Sequence, residues 1–451
     1  MASSSDKKPL DIASLLIHAD TLEDEEIPVG VPISTSTTFR HPKPSSAATP
    51  GFTEQKKGEL YNDKPEGYTG TEGDDAPPYD PQHPDRHIYS RYTQPVMTRT
   101  EKVLSAALNG HAIMFTTGLS SILAALLLYQ PEVVAIAEGY HGTHCTLDLY
   151  TRTREGVKII HTDDDFAPYK DKRVLCWLET PVNPKGICRD IAKYEKKTRA
   201  LPHGKLAIDS TFAPPPLQDP FEFGADLVMH SGTKYFNGHS DALLGVLATK
   251  SKEEWLKLWE IRTYAGMVPG SLESWLVLRS LRTLNLRVTR QSATATAFAT
   301  WLNEVATNAP DAGQSYDGCP GGILKTVWHA ALQGLDGVTG DGFNPLAGSA
   351  VGDEKHIKKP QMTGGPACFG ILTTKKEYAT WLPHKLNLMV PATSLGGVES
   401  LIEHRIISDV GADPCLIRLS IGLEDLEDLK EDFRNAFKAL LTSGEKRPSK
   451  L

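Results

Sequence analysis

A lysine flanked by hydroxyl side chains is the residue of this chain best suited to covalent chemistry. Lys234 lies in a segment with Ser231 and Thr233 that begins directly after residues 227–229. That short apolar run predicts a buried strand. Burial lowers the pKa of a lysine, and the free amine can then attack an aldehyde to form a Schiff base. A Thr-Lys pair after a strand is more often an exposed loop lysine, so this interpretation requires partner residues elsewhere in the chain.

Residues at three other strand or helix ends suit a flat, phosphorylated, electron-withdrawing cofactor. Gly118 and Leu119 open an apolar helix whose first amides could bind a phosphate, although a plain threonine N-cap explains the pattern equally well. Tyr140 follows an apolar strand and could cover a flat ring, although such a tyrosine usually only packs. Asp209 ends another apolar strand, where a carboxylate needs a cation such as a protonated pyridine nitrogen. With Lys234, these residues predict a site for pyridoxal 5'-phosphate (PLP).

The elements that must position these residues alternate between short apolar runs and helix-like segments. The runs that predict strands are 133–137, 174–178, 206–208, 227–229 and 243–248. Strands separated by helices predict a mainly parallel sheet, and ligands of such sheets bind at the carboxyl ends of the strands. Apolar residues at helical spacing predict long helices over 253–306 and an amphipathic helix from 425 to 441.

Composition excludes several other classes of protein. The 451 residues suit a large domain with a smaller one, and 40% hydrophobic with 23% charged residues is typical of a globular protein. The net charge of −8 gives no footprint for nucleic acid, and the longest apolar run is too short for a membrane helix. The six cysteines lack the spacing of a zinc site or a disulfide framework, so we expect no metal.

Nine motifs in order along the chain point to one family. They are Tyr89-Ser90-Arg91, Thr117-Gly118-Leu119, Tyr140-x-Gly-Thr, Glu179-Thr180-Pro181-Val182-Asn183-Pro184, Asp209-x-Thr-Phe, Ser231-x-Thr-Lys-Tyr, Arg279-x-Leu-x-Thr-Leu, Ser394-Leu395-Gly396-Gly397 and Ile417-Arg418-Leu419-Ser420. In these motifs the chain resembles the Cys/Met-metabolism family of PLP enzymes, which includes cystathionine γ-synthase, cystathionine γ- and β-lyases and homoserine sulfhydrylases. The resemblance extends over about residues 30–440.

The resemblance implies an α/β protein of the PLP-dependent aspartate aminotransferase-like fold (fold type I). We expect a large PLP-binding domain with a mainly parallel sheet over 95–295 and a smaller α+β carboxyl-terminal domain over 296–442. Residues 1–94 would form an arm and insertion that contacts a neighbouring subunit, and 443–451 a flexible tail. A homodimer or homotetramer with shared active sites is therefore expected.

The resemblance also implies a role for each motif residue. Lys234 would form the Schiff base and, with Tyr140 stacked on the ring, belong to the catalytic residues. The remaining cofactor-binding residues would be Asp209 at the pyridine nitrogen, Thr211, Asn183 near the ring hydroxyl, and, around the phosphate, Gly118, Leu119, Ser231 and Thr233 with Tyr89 and Arg91 from a neighbouring subunit. Arg418 would bind the substrate α-carboxylate, with Ser394 and Thr393 beside it.

Three positions depart from the family pattern. Thr393 stands where γ-acting members often have a glutamate and β-acting members an aromatic residue. Cys145 stands where enzymes that handle cystathionine tend to have an arginine. The segment 92–95 also differs from the usual turn after the Tyr-Ser-Arg motif. Thr393 is therefore uninformative about the reaction type, and the missing arginine at Cys145 weakens the case for cystathionine itself as substrate or product.

The expected reaction is a γ-replacement or γ-elimination on an O-acylhomoserine-like amino acid, as in cystathionine γ-synthase. A cystathionine β-lyase or γ-lyase is the alternative within the family, and a catalytically inactive PLP-fold regulatory protein is the alternative outside enzymes. The partner of the protein would be a small amino-acid substrate, with no nucleic acid and no membrane.

The chain closes with Ser449-Lys450-Leu451, which matches a receptor-read peroxisomal address. We expect a peroxisomal protein, and otherwise a cytoplasmic one.

Overall fold

The computed structural model describes residues 10–20, 29–40, 80–84, 86–334, 343–347 and 359–442. The predicted tail 443–451, with the terminal tripeptide, and more than half of the predicted arm and insertion 1–94 lie outside the described residues.

A central sheet of seven strands carries the residues singled out above. Its strands are β1 His111–Phe115, β2 Val133–Ile136, β3 Lys158–Ile160, β4 Val174–Glu179, β5 Gly204–Asp209, β6 Leu227–Ser231 and β7 Gly245–Thr249. They lie in the order β1-β7-β6-β5-β4-β2-β3, and the strands from β6 to β3 are parallel. The prediction of a mainly parallel α/β sheet is confirmed.

β7 is the exception, because it runs antiparallel to both β6 and β1. A parallel partner for β6 would need a crossover connection, usually a helix, whereas the loop that holds Lys234 returns the chain directly. The apolar run 243–248 predicted a further strand of the parallel series, so its direction was predicted wrongly. β1 and β3 were not predicted, since β1 is one short apolar run before a helix and β3 has only three residues.

Helices cover both faces of this sheet. The helices described are α1 Ile12–His18, α2 Pro95–Ala107, α3 Gly118–Tyr129, α4 His141–Thr153, α5 Ile191–Arg199, α6 Lys252–Tyr264, α7 Ser271–Leu281, α8 Leu284–Asn308, α9 Lys376–Trp381 and α10 Leu426–Thr442. Alternate residues of β1 enter different apolar cores, with Ala112 and Met114 in one and Ile113 and Phe115 in the other. Both faces of the sheet are therefore buried, as is usual for parallel sheets.

The helical stretch predicted over 253–306 consists of α6, α7 and α8. Gly266, Pro269 and Gly270 separate α6 from α7, since glycine and proline disfavour a continuous helix. The predicted helix 425–441 is α10, within one residue at either end.

A second, smaller sheet follows in the carboxyl-terminal part of the chain. Its strands are β10 Leu324–Trp328, β11 Cys368–Thr373, β12 Val390–Pro391, β13 Leu401–His404 and β14 Leu416–Ser420, after a short hairpin of β8 Ser315–Tyr316 and β9 Cys319–Pro320. All neighbours are antiparallel except β12 and β13, and α8 and α10 pack nearby. α8 continues across position 295, so the predicted domain boundary falls inside one helix, and its exact place stays a prediction.

Within the described ranges, no helix is both long and apolar enough to cross a bilayer.

Candidate active site

A cavity of about 450 Å³ opens where the carboxyl ends of β4, β5 and β6 face the second sheet. Most of the residues predicted for the site line it together. These are Gly118, Leu119, Tyr140, Asn183, Asp209, Thr211, Ser231, Thr233, Lys234, Thr393, Ser394 and Arg418. The fold therefore collects residues from at least six separate segments of the chain around one space.

Lys234 enters the cavity from the loop after β6. Its Nζ donates a hydrogen bond to Ser394 Oγ at 2.8 Å. Burial, followed by the nearby positive charge of Arg418, lowers the pKa of Lys234 to about 8. A larger fraction of this amine is consequently unprotonated at neutral pH than of an ordinary lysine.

Ser394 joins Lys234 to Arg418. Its side chain accepts from Lys234, and its backbone carbonyl accepts from Arg418 Nη2 at 2.9 Å. Its φ of +82° is unfavourable for any residue other than glycine. Such strain persists only where the surroundings hold it, and it is common at functional sites.

Asp209 lies at the end of β5 and is only 4% exposed. Its Oδ1 accepts hydrogen bonds from Thr211 Oγ1 at 2.6 Å and Thr211 N at 3.0 Å. Thr211 Oγ1 in turn accepts from Ser231 N at 2.9 Å, which ties β5 to the segment before Lys234. Burial raises the pKa of Asp209 to about 6, so a cation beside it would be needed to keep it fully ionised.

Glu179 is a site residue to which sequence reasoning gave no role. It lies beside Asp209 in the register of β4 and β5. Its Oε2 accepts from Tyr140 N and its Oε1 from Asn183 N, both at 2.7 Å. Burial, and then the charge of Asp209, raise the pKa of Glu179 to about 8. Its position at a strand end next to another carboxylate was the signal that could have identified it.

The ring of Tyr140 lies across the first turn of α4. A Cβ placed on Gly142 would collide with that ring, so glycine allows the tyrosine this position. The residue is 44% exposed and lines the cavity. Backbone contact with Glu179 therefore fixes its main chain while the ring faces open space.

The opposite end of the cavity is the start of α3. Thr117 caps this helix by accepting from Ser120 N, and Gly118 and Leu119 follow it. A Cβ on Gly118 would meet Ser231 Oγ at 3.2 Å and Met229 Cε at 3.3 Å, so the backbone of α3 approaches β6 closely. The first amides of a helix have no partner within the helix, and they suit an anion.

Arg418, on β14, is 5% exposed and holds two residues of the predicted site. Its Nη1 donates to Asn183 Oδ1 at 3.1 Å and its Nη2 to Ser394 O. Nη2 also lies 2.6 Å from Glu403 Oε2. Arg418 and Glu403 thus form a buried ion pair at the cavity and not a surface salt bridge.

A comparison with protein families decides the relationship. The model of the Cys/Met metabolism PLP-dependent enzyme family matches residues 67–309 and 347–438. The chain belongs to this family. The prediction of the family and of PLP as its cofactor is confirmed.

Relatives within the Cys/Met-metabolism family differ in the reaction they are named for. Cystathionine gamma-lyase of Saccharomyces cerevisiae is 31% identical over 94% of this chain and 97% of its own. Cystathionine beta-lyase of Lactococcus lactis is 32% identical over 78% and 89%. Cystathionine gamma-synthase of Mycobacterium tuberculosis is 31% identical over 77% and 85%.

Solved structures of this family agree with the fold. The structure of cystathionine gamma-lyase from yeast superposes with a TM-score of 0.70 at 26% identity, covering 98% of this chain and 100% of that one. The prediction of a PLP-dependent fold type I architecture is thereby confirmed.

Two predicted cofactor residues, Tyr89 and Arg91, do not line the cavity of their own chain. The Arg91 guanidinium lies 5.5 Å from the Tyr89 ring centroid and 4.9 Å from that of Tyr92. The backbone of Tyr89 forms an isolated antiparallel β-bridge with that of Thr38, and Tyr89 is 38% exposed. Their assignment to a neighbouring subunit stays a prediction.

The residues around the cavity fit PLP. Lys234 offers an amine of lowered pKa. Asp209 is a buried carboxyl that a protonated ring nitrogen beside it would keep ionised. The close approach of Gly118 to Ser231 forms a narrow end that suits a phosphate. No group of three or more His, Cys, Asp or Glu side chains is placed to hold a metal ion in the part of the chain that the structure describes.

Proposed function

We propose that the protein uses PLP to catalyse γ-replacement or γ-elimination on an O-acylhomoserine-like amino acid. The observation that carries this proposal is that a lysine of lowered pKa and a buried arginine meet at Ser394 in one cavity. An amino acid held by its carboxylate at that arginine would present its Cα near the lysine amine.

Several residues would hold the cofactor. Lys234 would bind its aldehyde carbon, Asp209 would pair with its ring nitrogen, and Tyr140 would cover its ring. The phosphate would lie between the amides of Gly118 and Leu119 and the hydroxyls of Ser231 and Thr233. When bound, PLP acts as an electron sink that acidifies the Cα proton of an attached amino acid.

The chain's own residues would then orient the substrate and move protons. Arg418 would bind the α-carboxylate with its guanidinium fork, held in place by Asn183 and Ser394. The amine of Lys234, once released, would take the proton from Cα, since its pKa of about 8 suits a base at neutral pH. Thr211 would keep Asp209 directed at the ring nitrogen.

A γ-reaction is favoured over a β-reaction by the extent of the similarity. The yeast relative named cystathionine gamma-lyase aligns with 94% of this chain, compared with 78% and 77% for the relatives named cystathionine beta-lyase and cystathionine gamma-synthase, so this support is for γ-elimination in particular. A γ-leaving group would depart after removal of protons from Cα and then Cβ. A thiol or another nucleophile would replace it, or water would release a 2-oxo acid and ammonia.

Product analysis separates the candidate reactions. Purified protein with PLP is incubated separately with O-acetylhomoserine, O-succinylhomoserine and cystathionine, and the 2-oxo acid is identified. We expect oxobutyrate from a homoserine ester, and its replacement by a thioether when a thiol is added. The Lys234→Ala variant serves as the control and should give neither product.

Other products would support other functions. Pyruvate from cystathionine, without oxobutyrate from any ester, would indicate a β-lyase, the second candidate that the Lactococcus relative favours. Bound PLP with no turnover on any of the three substrates would indicate the catalytically inactive regulatory alternative.

We also propose that Tyr89 and Arg91 complete the phosphate site of a second copy of the chain. The support is that neither residue lines the cavity of its own chain, while the Tyr89 side chain is exposed. An active homodimer, or a homotetramer of two such dimers, would follow.

A further inference from the structure

A single carboxylate oxygen beside the cavity is shared by two arginines. Glu403 Oε2 lies 2.6 Å from Arg418 Nη2 and 2.8 Å from Arg405 Nη1. The three side chains are 7%, 5% and 8% exposed, respectively. Buried charges in such contact interact far more strongly than charges at the surface.

Arg405 belongs to the cavity as well as to this cluster. It follows directly after β13, and it lines the cavity together with Ser408. Its Nε is buried and has no hydrogen-bond partner among the residues that the structure describes. None of the cofactor or substrate contacts proposed above uses Arg405.

The cluster carries a net positive charge. Burial alone would raise the pKa of Glu403, but Arg418, the Ser408 hydroxyl and Arg405 together lower it, so the carboxyl is ionised. Two guanidinium groups and one carboxylate sum to +1. Arg418 and Glu403 by themselves would sum to zero, and the arginine would attract a substrate carboxylate only weakly.

The hydrogen bonds of Arg418 also show that Glu403 needs a second cation. Its Nη2 already donates to Ser394 O and contacts Glu403. A substrate carboxylate that binds both terminal nitrogens must therefore compete with Glu403 for Nη2. When that contact is lost, Glu403 is still paired with the positive charge of Arg405.

We propose that Arg405 is a positioning residue that shares Glu403 and thereby leaves the charge of Arg418 available to the α-carboxylate of the substrate. This inference rests on the proposed role of Arg418 in the reaction. Arg405 acts through Glu403 and need not touch the substrate.

Binding of an amino acid without a leaving group tests this role. L-Norvaline is titrated into the PLP-loaded enzyme while the visible absorbance of the cofactor is followed, and L-norvaline amide, which lacks the carboxylate, is titrated in parallel. In Arg405→Met we expect norvaline to bind about 10- to 100-fold more weakly, because an attraction of one net charge at short range is lost. Binding of the amide should be unchanged.

Matched variants separate charge sharing from a merely structural role. Arg405→Lys keeps the charge and should retain most of the affinity. In the double variant with Glu403→Gln and Arg405→Met, Arg418 is the one charged residue left in the cluster, so the cluster keeps the wild-type net charge of +1. This variant should regain norvaline binding. Arg290→Met removes a half-exposed arginine that pairs with Asp425 on the surface, and it should bind norvaline like the wild type.

Three results would overturn the inference: wild-type norvaline affinity in Arg405→Met, an equal loss for norvaline and its amide, or no recovery in the double variant. The Arg418→Met variant shows whether the role of Arg405 alone is wrong or whether the proposed function is wrong as well. If Arg418→Met itself binds norvaline normally, the carboxylate role of Arg418 is wrong. With a good substrate, Arg405→Met should raise KM by the same factor and change kcat by less than about threefold.

Discussion

The rate at which the apoprotein binds PLP should follow the loss of a proton from Lys234. Schiff-base formation requires the free amine, and the pKa of Lys234 is lowered to about 8 by burial and by Arg418. Raising the pH from 6 to 10 is therefore the perturbation, and the observed second-order rate constant is the quantity measured.

The expected magnitude follows from the fraction of free amine. With a pKa of about 8, that fraction is about one tenth at pH 7 and about nine tenths at pH 9. The rate should therefore rise about tenfold from pH 7 to pH 9, or about a hundredfold from pH 6, and then reach a plateau. An ordinary lysine would have only about 4% free amine at pH 9, and its rate would still be rising steeply at pH 10.

Stopped-flow absorbance during mixing of apoprotein and PLP gives the profile. The same reaction of PLP with N-acetyl-lysine methyl ester corrects for titration of PLP itself. Removal of the Arg418 charge in Arg418→Met should move the midpoint to higher pH, because that charge is the second cause of the lowered pKa. A corrected rate that rises without a plateau to pH 10 would refute the reasoning.

Two further predictions concern Glu179, beside Asp209 at the site, and the assembly of the protein from subunits. Glu179→Gln should lower the free energy of unfolding by about 1–3 kcal/mol in urea at pH 6, because the backbone N–H of either Tyr140 or Asn183 loses its acceptor. Since the pKa of Glu179 is raised to about 8, the stability from its protonated form is lost as pH rises through that value. The difference should therefore narrow as pH rises from 6 to about 8 and stay constant above that value, and an equal difference at pH 6 and 9 would contradict this. Mixing inactive Arg91→Met and Lys234→Ala chains, with subunit exchange, should restore about one quarter of wild-type activity if sites are shared, since half of the dimers would be mixed and each would have one intact site. No recovery, despite exchange shown by native mass spectrometry, would argue against sharing.

The sequence predicted the part of the fold that depends on local apolar pattern. The runs 174–178 and 206–208 lie inside β4 and β5, and Asp209 was expected at a strand end, where β5 places it. Parallel pairing then follows from the alternation with helices. The direction of β7 was missed because it depends on the loop that holds Lys234, whose path no apolar pattern encodes.

Contacts between distant segments could not be read from the sequence. Arg418 was expected as a carboxylate ligand, but its partner Glu403 and the sharing with Arg405 depend on how β13 packs against β14. Glu179 stood within a quoted motif, yet its contact with the Tyr140 backbone depends on a loop that approaches it from a separate part of the chain. Side-chain charge and spacing alone specify neither arrangement.

The attachment point of PLP tests the central claim most directly. Reduction of the PLP-loaded enzyme with borohydride fixes the cofactor to the lysine that binds it, and peptide mass spectrometry then identifies that residue. We predict phosphopyridoxyl modification of Lys234, and no modification there after Lys234→Ala. Stoichiometric labelling of another lysine, or no labelling of a protein that retains PLP, would contradict the account.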